Sequence, residues 1–480
     1  MDSLPAFEQR NGLAAELASA LPGRVHVAGE PQFRDSLARV FFPEAARRSP
    51  SCVVTPADVA DVATTLTRAA AAGVPVTVRG GGLSSNCVRD DAVLLDLSVH
   101  FATARTDGDS HVVVGGGATV GEALAATTPT GRVIPVGIAG IAGLGLITRG
   151  GVGYLTRDLG LTLDQIVELE MVLPDGTWLR LSEDSRGVEE ELWWAARGCA
   201  PSFGVVTSAR LRTHPQGPVY VERAVVGLDA LATYFATAPQ LPRHTTMGAV
   251  LGWGGGPDPV LLVYTACRSS CDDDVDVARS ATSAVVAASK NTFFRAETSG
   301  RYLAGLPEFA IPGPGGAEPA AIAPPDPTST AHRGWFYGKS VFTGPNLGAD
   351  IADGLAAAIT AAPTRACRID FQHTGGALAD VEDTATAFWG RRGEWNVPLN
   401  AIWSDAADTD ACRAWARDTL AVLAPGTIGG YSVELRSGFA ESAAEIDAAY
   451  GGNLRKLRDL RDRIDPGGVL LNHPLAQELP

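Results

Sequence analysis

The chain has 480 residues, of which 45% are hydrophobic and 19% charged, and its formal net charge is −15. This length exceeds what one hydrophobic core usually organises, so we expect more than one domain. The acidic balance, which no basic run offsets, argues against a nucleic-acid-binding surface. The first residues lack the basic start and apolar stretch of a signal peptide, and no apolar run is long enough for a membrane span. We therefore expect a cytoplasmic protein with no membrane partner.

The seven cysteines form no Cys-x-x-Cys pair, and the histidines show no ligand spacing with another His, Cys or carboxylate. Reduced, mostly structural thiols are the expected state in a cytoplasmic chain. A metal site is not expected.

In chain order, residues 1–45 are predicted to be short lead-in helices. The segment SPSCVVT predicts a strand, and Thr55-Pro56 supplies a capping hydroxyl and a first-turn proline for a helix that closes at Gly73. A β-branched strand at 74–78 and a second strand at 93–97 follow. Between these two strands the sequence places Arg79 and three consecutive glycines.

The glycines Gly80, Gly81 and Gly82 carry no Cβ and can adopt positive φ, so successive backbone N–H groups can converge on an anion such as a pyrophosphate. A Rossmann fingerprint and a P-loop are excluded, because their glycine loops open a helix and this loop leads to a strand. A glycine-rich hairpin that only turns the chain is the alternative for the motif taken alone.

Further segments support the anion-binding interpretation. HVVVGGGATVGEALAAT at 111–127 repeats the order strand, glycines, helix, and a second glycine cluster follows at 137–160. After this cluster come the strand pair IVELEMVLPDGTWLRL, the helix-like EEELWWAARG and the segment FGVVTSARLR. In this order and spacing the segments resemble the flavin domain of the vanillyl-alcohol-oxidase/para-cresol-methylhydroxylase superfamily. The whole chain resembles the berberine-bridge-enzyme-like branch of that superfamily.

Beyond residue 215 the pattern changes to longer strands, which predict an antiparallel sheet that includes TTMGAVLGW, PVLLVYTACR, GWFYGKSVF, RIDFQHTGGAL and GEWNVPLNAIW. In the last segment Trp395, Val397, Leu399, Ala401 and Trp403 alternate with Asn396, Pro398, Asn400 and Ile402. We expect the first set to pack on helices and the second to line a pocket. The proline-rich stretch 311–330 is predicted to be a surface loop, and LRKLRDLRDRI near the end a closing helix that Asp465-Pro466 terminates.

The resemblance implies an α+β fold with a PCMH-type FAD-binding domain, itself two α/β subdomains, and a substrate domain in which helices cover a large antiparallel sheet. The implied boundaries are 1–45 for the lead-in helices, 46–215 for the FAD-binding domain, 216–435 for the substrate-binding domain and 436–480 for a berberine-bridge-like segment that returns to the flavin. Carried over position by position, the FAD-binding residues are Arg79, Gly80, Gly81, Gly82, Leu83, Ser84, Gly145, Gly150, Gly151, Gly153, Val206 and Asn472. Arg79 has an alternative role as an ion-paired residue at the end of a strand.

The sequence departs from the family pattern at the attachment positions. Leu83 replaces the histidine that bonds the flavin 8α-methyl group, and Ile138 stands where many members place a cysteine. Neither side chain is a nucleophile, and Cys87 is expected to be structural. FAD is therefore expected to bind noncovalently. In RGCAPSFG, Pro201 replaces a family glycine and should stiffen a turn that needs φ freedom, which would weaken FAD binding.

The family's usual base is also missing, because its YxNY motif reads YSVE here and Pro398 stands where plant relatives tend to carry Glu or Gln. Glu434 becomes the candidate base if burial raises its pKa, with an exposed carboxylate as the alternative. Tyr431 could orient the substrate. His373 could accept a proton, or could be a hydrogen-bonded sheet histidine.

Three functions remain open at this point. The first is an FAD-dependent oxidoreductase that transfers hydride from a small, mostly apolar secondary-metabolite intermediate to flavin N5, with O2 as the acceptor. The second is a redox-neutral cyclase, isomerase or dehydratase in which flavin is structural or absent. The third is a non-catalytic small-molecule binding protein.

Overall fold

The computed structural model describes residues 4–136, 140–254, 256–268, 272–300, 334–436, 441–471 and 475, with the side chains of 4–11 and 272 excepted. The proline-rich stretch 311–330, Ile138 and Asn472 lie outside these residues. Within them, the helices and antiparallel sheets give the α+β architecture that the sequence predicts.

The amino-terminal part forms a small mixed sheet with strand order β1-β2-β4-β3, in which β4 runs parallel to both neighbours. Its elements are α1 (Leu4–Ala20), β1 (Val25–His26), α2 (Pro31–Ala38), α3 (Pro43–Ala46), β2 (Cys52–Val54), α4 (Val59–Ala71), β3 (Val76–Arg79) and β4 (Val93–Asp96). Because β3 and β4 are parallel, the glycine loop between them is not a hairpin turn, and that alternative is excluded.

The start of α4 differs from the prediction. Asp58, not Thr55, is the N-cap residue, and its carboxylate accepts a hydrogen bond from the Asp61 amide at 3.0 Å. The Thr55 hydroxyl instead donates to the Arg24 carbonyl. An ionised carboxylate so close to the first turn is a strong cap, which explains why the helix starts after the predicted position.

The next part is a five-stranded antiparallel sheet with strand order β5-β6-β10-β8-β9, together with a two-stranded pair β7-β11. Its elements are β5 (Ala104–Asp107), β6 (His111–Gly115), α5 (Val120–Thr127), β7 (Arg132–Val133), α6 (Leu144–Ile147), α7 (Thr156–Leu159), β8 (Ile166–Val172), β9 (Trp178–Ser182), α8 (Val188–Cys199), β10 (Val205–Arg212) and β11 (His214–Pro215). The predicted Pro-Asp-Gly turn joins β8 to β9, with Gly176 at φ 87°.

The remaining strands form an eight-stranded antiparallel sheet with strand order β15-β12-β14-β13-β17-β18-β16-β19. Its elements and covering helices are β12 (Val219–Val226), α9 (Leu231–Thr237), β13 (Thr245–Trp253), β14 (Pro259–Arg268), α10 (Asp272–Ala288), β15 (Thr292–Gly300), β16 (Trp335–Thr343), α11 (Ala349–Thr360), β17 (Arg368–His373), β18 (Trp395–Trp403), α12 (Thr409–Leu423) and β19 (Thr427–Gly430). The predicted large antiparallel sheet is confirmed.

The two faces of β18 separate as the alternation predicts. Trp395, Val397, Leu399, Ala401 and Trp403 are each no more than 1% exposed, and they share one hydrophobic core with residues of α9, α11 and α12. Of the four residues expected to line a pocket on the opposite face, Asn400 and Ile402 border a cavity and Pro398 does not. Asn396 is 1% exposed and instead accepts a hydrogen bond from Ser340 and donates one to Gln372. One face of this sheet is therefore packed on helices, and the other is available to a ligand.

The tail forms α13 (Ser442–Tyr450) and α14 (Leu454–Ile464) and then returns to the amino-terminal sheet. Its backbone reaches β3, where the Val76 amide donates to the Val469 carbonyl and the Leu471 amide donates to the Val76 carbonyl. The buried Asp465 holds this return, because its carboxylate accepts hydrogen bonds from two following backbone amides. The tail thus lies beside the strand that carries the glycine loop.

Buried ion pairs connect the first half of the chain to the eight-stranded sheet region. Arg391 is fully buried and binds both carboxylate oxygens of Asp164, at 2.8 and 2.9 Å. Arg157 binds Glu394 at 2.7 Å. A bidentate arginine–carboxylate pair fixes orientation as well as distance, so these contacts set how the two halves face each other across the site.

Candidate active site

The glycine loop after β3 is shaped by close backbone contacts. A Cβ at Gly80 would lie 2.7 Å from the Gly116 carbonyl oxygen, and one at Gly81 would lie 2.5 Å from the Ile141 carbonyl oxygen. Only Gly82 has positive φ, at 77°. Of the two reasons that the sequence gives for these glycines, the missing Cβ applies at Gly80 and Gly81, which approach other backbone closely, and positive φ applies at Gly82.

Arg79 lies at the end of β3 and is 4% exposed. Its Nη1 donates to both carboxylate oxygens of Asp96 at 2.8 Å and also to the Ser98 hydroxyl, while its Nε has no hydrogen-bond partner. The structure thus gives Arg79 the ion pair that was its alternative role. The same side chain also borders a cavity of about 330 Å³ beside Gly80 and Gly81.

Three cavities meet at Gly80. Besides the one next to Arg79, a cavity of about 380 Å³ is lined by Gly81, Gly82, Leu83 and Ser84. A smaller one of about 70 Å³ is lined by Val206 and other residues near β10. The glycine loop therefore borders an elongated space, and its edges are lined by predicted cofactor residues from two separate sheets.

Pro201 and Gly145 line both the 380 Å³ and the 70 Å³ cavities. Pro201 sits in a short 3-10 turn, in a first-turn position that suits proline, and the left-handed conformation falls on Gly198, with φ 147°. The expected stiffening by Pro201 therefore causes no conflict here. At Gly145 a Cβ would have no atom within 4 Å, because the residue faces open cavity space.

The other glycines of the second cluster contact neighbouring protein side chains. A Cβ at Gly150 would meet the Tyr431 hydroxyl at 2.7 Å, and one at Gly151 would meet the Thr162 hydroxyl at 2.2 Å. The Gly153 amide donates to Thr156 at 2.9 Å. These three glycines do not border the 380 Å³ cavity.

Tyr431 is 5% exposed and braces this second glycine loop. Its hydroxyl accepts hydrogen bonds from the amides of Gly151 at 3.0 Å and Val152 at 3.4 Å. Its ring packs edge-on against Phe342 and Phe388. Burial raises the pKa of Tyr431 to about 12, so the phenol stays protonated at neutral pH.

Glu434 lines the 380 Å³ cavity and also borders a second cavity, of about 430 Å³, whose walls include Lys339 and Tyr431. Its carboxyl lies against β16, where a Cβ on Gly338 would be 2.4 Å from Oε2. Burial raises the pKa of Glu434, although Arg436, Arg149 and Lys339 oppose the change. A raised pKa makes the ionised carboxylate a better proton acceptor.

His373 is not brought into the cavity with Glu434. It lies on the core face of β17 with Ile369 and Phe371, and its ring stacks on Trp395 at 6.0 Å between centroids. Its Nδ1 accepts from the Met247 amide at 3.0 Å, and its Nε2 lies 2.8 Å from Glu394. Burial lowers the pKa of His373 to about 4, so the imidazole is neutral at pH 7. This is the arrangement of a hydrogen-bonded sheet histidine.

Several residues that the sequence reasoning did not single out line the 380 Å³ cavity. They are Arg149 near α6, Phe336 on β16, Arg368 on β17 and Arg436 beyond Glu434. The two-residue period of β17 would have revealed Arg368, because Ile369 and Phe371 are apolar and the residues that alternate with them, starting at Arg368, must face the other side. Sequence offers no comparable signal for Arg149 or Arg436.

Of the two flavin-attachment positions of the family, Leu83 lies among the described residues. Leu83 is a half-buried wall residue of the cavity, and Ile138 and Asn472 lie outside the described residues. Cys87 also reaches the cavity wall, but burial raises the pKa of its thiol to about 12. A thiol held in the protonated form is a poor nucleophile.

The shape and chemistry of this space fit FAD. The glycine backbone offers close approach without side chains, the cavities extend to both sides of Gly80, and Leu83, Leu146 and Val433 provide apolar wall for a flat ring system. The residues that would hold the cofactor are the loop 80–84, Gly145, Pro201 and Val206. The fold and the site define a flavin-binding protein.

Comparisons with known proteins give the class. Residues 50–182 match the family model of an FAD binding domain. An FAD-linked oxidoreductase of Dictyostelium discoideum is 25% identical over 471 residues, which cover 95% of each chain. The (R)-6-hydroxynicotine oxidase of Paenarthrobacter nicotinovorans is 32% identical over 187 residues, 38% of this chain and 39% of that protein.

Solved structures resemble the whole chain in fold. BBE-like 1 of Physcomitrella patens has a TM-score of 0.80 at 21% identity, covering 97% of this chain and 99% of that one. Chitooligosaccharide oxidase has a TM-score of 0.79 at 17% identity, covering 98% and 100%. The chain is an FAD-linked oxidoreductase with the fold of the berberine-bridge-like enzymes, as the sequence motifs predicted.

No helix among the described residues is both long enough and apolar enough to cross a bilayer.

Proposed function

We propose that the protein binds FAD noncovalently and oxidises a small, mostly apolar metabolite, with dioxygen as the electron acceptor. The observation that carries the proposal is the cavity shared by the glycine loop 80–84 and Glu434. It brings a cofactor wall and a candidate base into one cavity. The matching FAD binding domain supports the identity of the cofactor.

Noncovalent binding is supported by the chemistry of the residues nearest the loop. Leu83 has no nucleophilic atom, and the buried Cys87 thiol stays protonated well above neutral pH. The cofactor would then be retained by contacts with the glycine backbone and with the apolar wall.

When bound, FAD supplies the two-electron acceptor for a hydride that leaves a substrate carbon bearing O–H or N–H. Glu434 removes the proton from that oxygen or nitrogen as the C–H bond of the adjacent carbon breaks. Gly338 lets the carboxyl lie against β16, and the nearby arginines bias it toward the ionised form. Phe336 and Ile402 enclose the apolar part of the substrate.

Tyr431 acts as a positioning residue in this scheme. Its hydroxyl fixes the backbone of the second glycine loop by accepting from two amides, and its short connection to Glu434 links that loop to the base. His373 supports the sheet from the core side, and Arg79 supports the strand end through Asp96.

The visible absorption spectrum of freshly purified protein tests the proposal. We expect flavin bands, and acid precipitation should release all of the yellow colour into the supernatant. Colour that stays in the pellet refutes noncovalent binding, and a colourless protein that cannot be reconstituted with FAD refutes the cofactor. Anaerobic bleaching by a candidate substrate, reversed by air, distinguishes oxidation from the redox-neutral alternative.

A further inference from the structure

The charges that line the 380 Å³ cavity are mostly positive. Among the described lining residues, three are arginines, Arg149, Arg368 and Arg436, and one is a carboxylic acid, Glu434. The chain as a whole has a net charge of −15. Even with Glu434 ionised, three guanidinium groups face one carboxylate in the lining. The cavity therefore carries a local positive excess inside an acidic protein.

Arg149 contributes one of these positive charges and also has a structural role. Its Nε donates to the Gly145 carbonyl at 2.9 Å, and its Nη1 donates to the Ser432 carbonyl at 3.1 Å. These contacts tie the second glycine cluster to the turn that carries Glu434. Carbonyl partners satisfy hydrogen bonds but do not neutralise the guanidinium.

Arg436 is 6% exposed and lies among aromatic rings. Its Cζ is 4.9 Å from the ring centroid of Phe42 and 5.6 Å from that of Phe336, and both rings also line the cavity. The nearest Glu44 carboxylate oxygen is 3.9 Å from Nη1, beyond hydrogen-bond distance, and Glu44 also faces Arg413 at 3.5 Å. Glu434 and Glu44 supply the nearby negative charge, and Glu44 is shared with Arg413.

Arg368 reaches the same cavity from β17. Its Nε is 3.4 Å from Asp370 Oδ2, an atom that also accepts a 2.8 Å hydrogen bond from Asn400. Burial raises the pKa of Asp370, although Arg368 and Asn400 oppose the change, and the buried Nε of Arg368 has no hydrogen-bond partner. Arg368 therefore keeps hydrogen-bonding capacity directed at the cavity, beside the Asn400 amide.

We propose that the substrate carries a carboxylate, and that Arg368 and Arg436 bind this carboxylate while the apolar body packs on Phe42, Phe336 and Ile402. The proposal rests on the proposed function and narrows its substrate class to an acidic, otherwise apolar molecule. A guanidinium matches a carboxylate with two parallel N–H donors, and such pairs are stronger in an enclosed site than in water. The amide of Asn400 can donate to the same group.

The test uses trans-cinnamate and its uncharged isostere trans-cinnamamide as probes of the purified holoprotein. Calorimetric titration gives each dissociation constant, and the flavin difference spectrum reports whether the probe reaches the cofactor cavity. The variants are Arg368→Met and Arg368→Lys. Arg365→Met is the matched control, because Arg365 is an exposed arginine three residues earlier that does not line the cavity.

We expect cinnamate to bind roughly tenfold or more tightly than cinnamamide in the unaltered protein and in the Arg365 variant, as one charge-assisted pair predicts. Arg368→Met should abolish most of this ratio, and Arg368→Lys should keep part of it. Equal affinities, no detectable cinnamate binding at millimolar concentration, or an unchanged ratio in Arg368→Met would overturn the proposal. A colourless protein refutes the proposed function instead, and the calorimetric ratio then still decides the carboxylate site.

Discussion

The buried pair between Arg391 and Asp164 allows the sharpest stability prediction. Arg391 is 0% exposed and gives Asp164 two hydrogen bonds, plus one to the Thr386 hydroxyl at 2.8 Å. Replacing Arg391 with Met removes both arginine hydrogen bonds from the Asp164 carboxylate. The carboxylate keeps its hydrogen bond from the Leu161 amide, at 3.1 Å. Breaking a buried pair on one side costs about 3–5 kcal/mol. Since Asp164 keeps one donor and is 13% exposed, we expect the lower end of this range.

The neighbouring Arg392 is the matched control. Its ion pair with Glu382 is 3.1 Å long, but the two side chains are 58% and 74% exposed, and exposed pairs contribute about 0–1 kcal/mol. The unfolding entropy is about 2.1 cal/mol/K per residue. If all 480 residues unfold together, lowering the free energy of unfolding by about 3 kcal/mol therefore lowers Tm by roughly 3 °C.

Thermal unfolding, monitored by tryptophan fluorescence, should therefore give a Tm about 3 °C lower for Arg391→Met than for the unaltered protein. The Tm of Arg392→Met should lie within about 1 °C of the unaltered value. A larger shift for Arg391→Met, with early flavin release, would mean that the sheet region unfolds separately from the glycine-loop region. Equal, small shifts for both variants would show that the buried pair does not hold the two halves together, and would refute the reasoning.

Further predictions concern the cavity. With a substrate that bleaches the flavin, Glu434→Gln should lower kcat about 100-fold or more. In the unaltered enzyme kcat/KM should fall as the pH drops through the raised pKa of Glu434, because the protonated carboxyl cannot accept a proton. The pH profile of the variant should lack this acidic fall. Gly338→Ala should lower kcat by displacing the Glu434 carboxyl, but it should have no further effect in the Glu434→Gln background. Additive effects of the two substitutions would contradict the contact between Gly338 and Glu434. Gly145→Val should weaken FAD retention in a dialysis assay, whereas Gly12→Val, also at an open position, should not; equal retention would exclude Gly145 from the cofactor wall. Tyr431→Phe should lower the free energy of unfolding by about 1–3 kcal/mol because two buried amides lose their acceptor, and an unchanged urea midpoint would refute that role.

Local patterns in the sequence were sufficient where one face of an element is buried. The alternation in β18 separates the core face, with Trp395 and Trp403, from the cavity face, with Asn400, and the structure confirms it. The stripe of Leu454 and Leu457 likewise predicts α14, which is present and buried on that side. These predictions succeed because burial imposes the period of the element on its apolar residues.

The catalytic role considered for His373 disregards the alternation of residues along β17. Ile369, Phe371 and His373 fall on one face of β17 by simple alternation, and the structure places all three on the core side. The Thr55 cap is a different case. A hydroxyl before Pro56 is a reasonable start signal, but Asp58 caps better and the choice depends on competing local hydrogen bonds.

The charge of the cavity could not have been predicted from sequence order. Arg149, Arg368 and Arg436 come from three distant segments; the alternation of β17 places Arg368 opposite the core face, but nothing in the sequence brings the three arginines together. Their partners distinguish them only once the chain is folded: backbone carbonyls for Arg149, a carboxyl whose pKa burial raises for Arg368, and aromatic rings for Arg436. Since the positive excess depends on which side chains the fold gathers around the cavity, it is a property of tertiary contacts. Composition, which is acidic overall, points the opposite way.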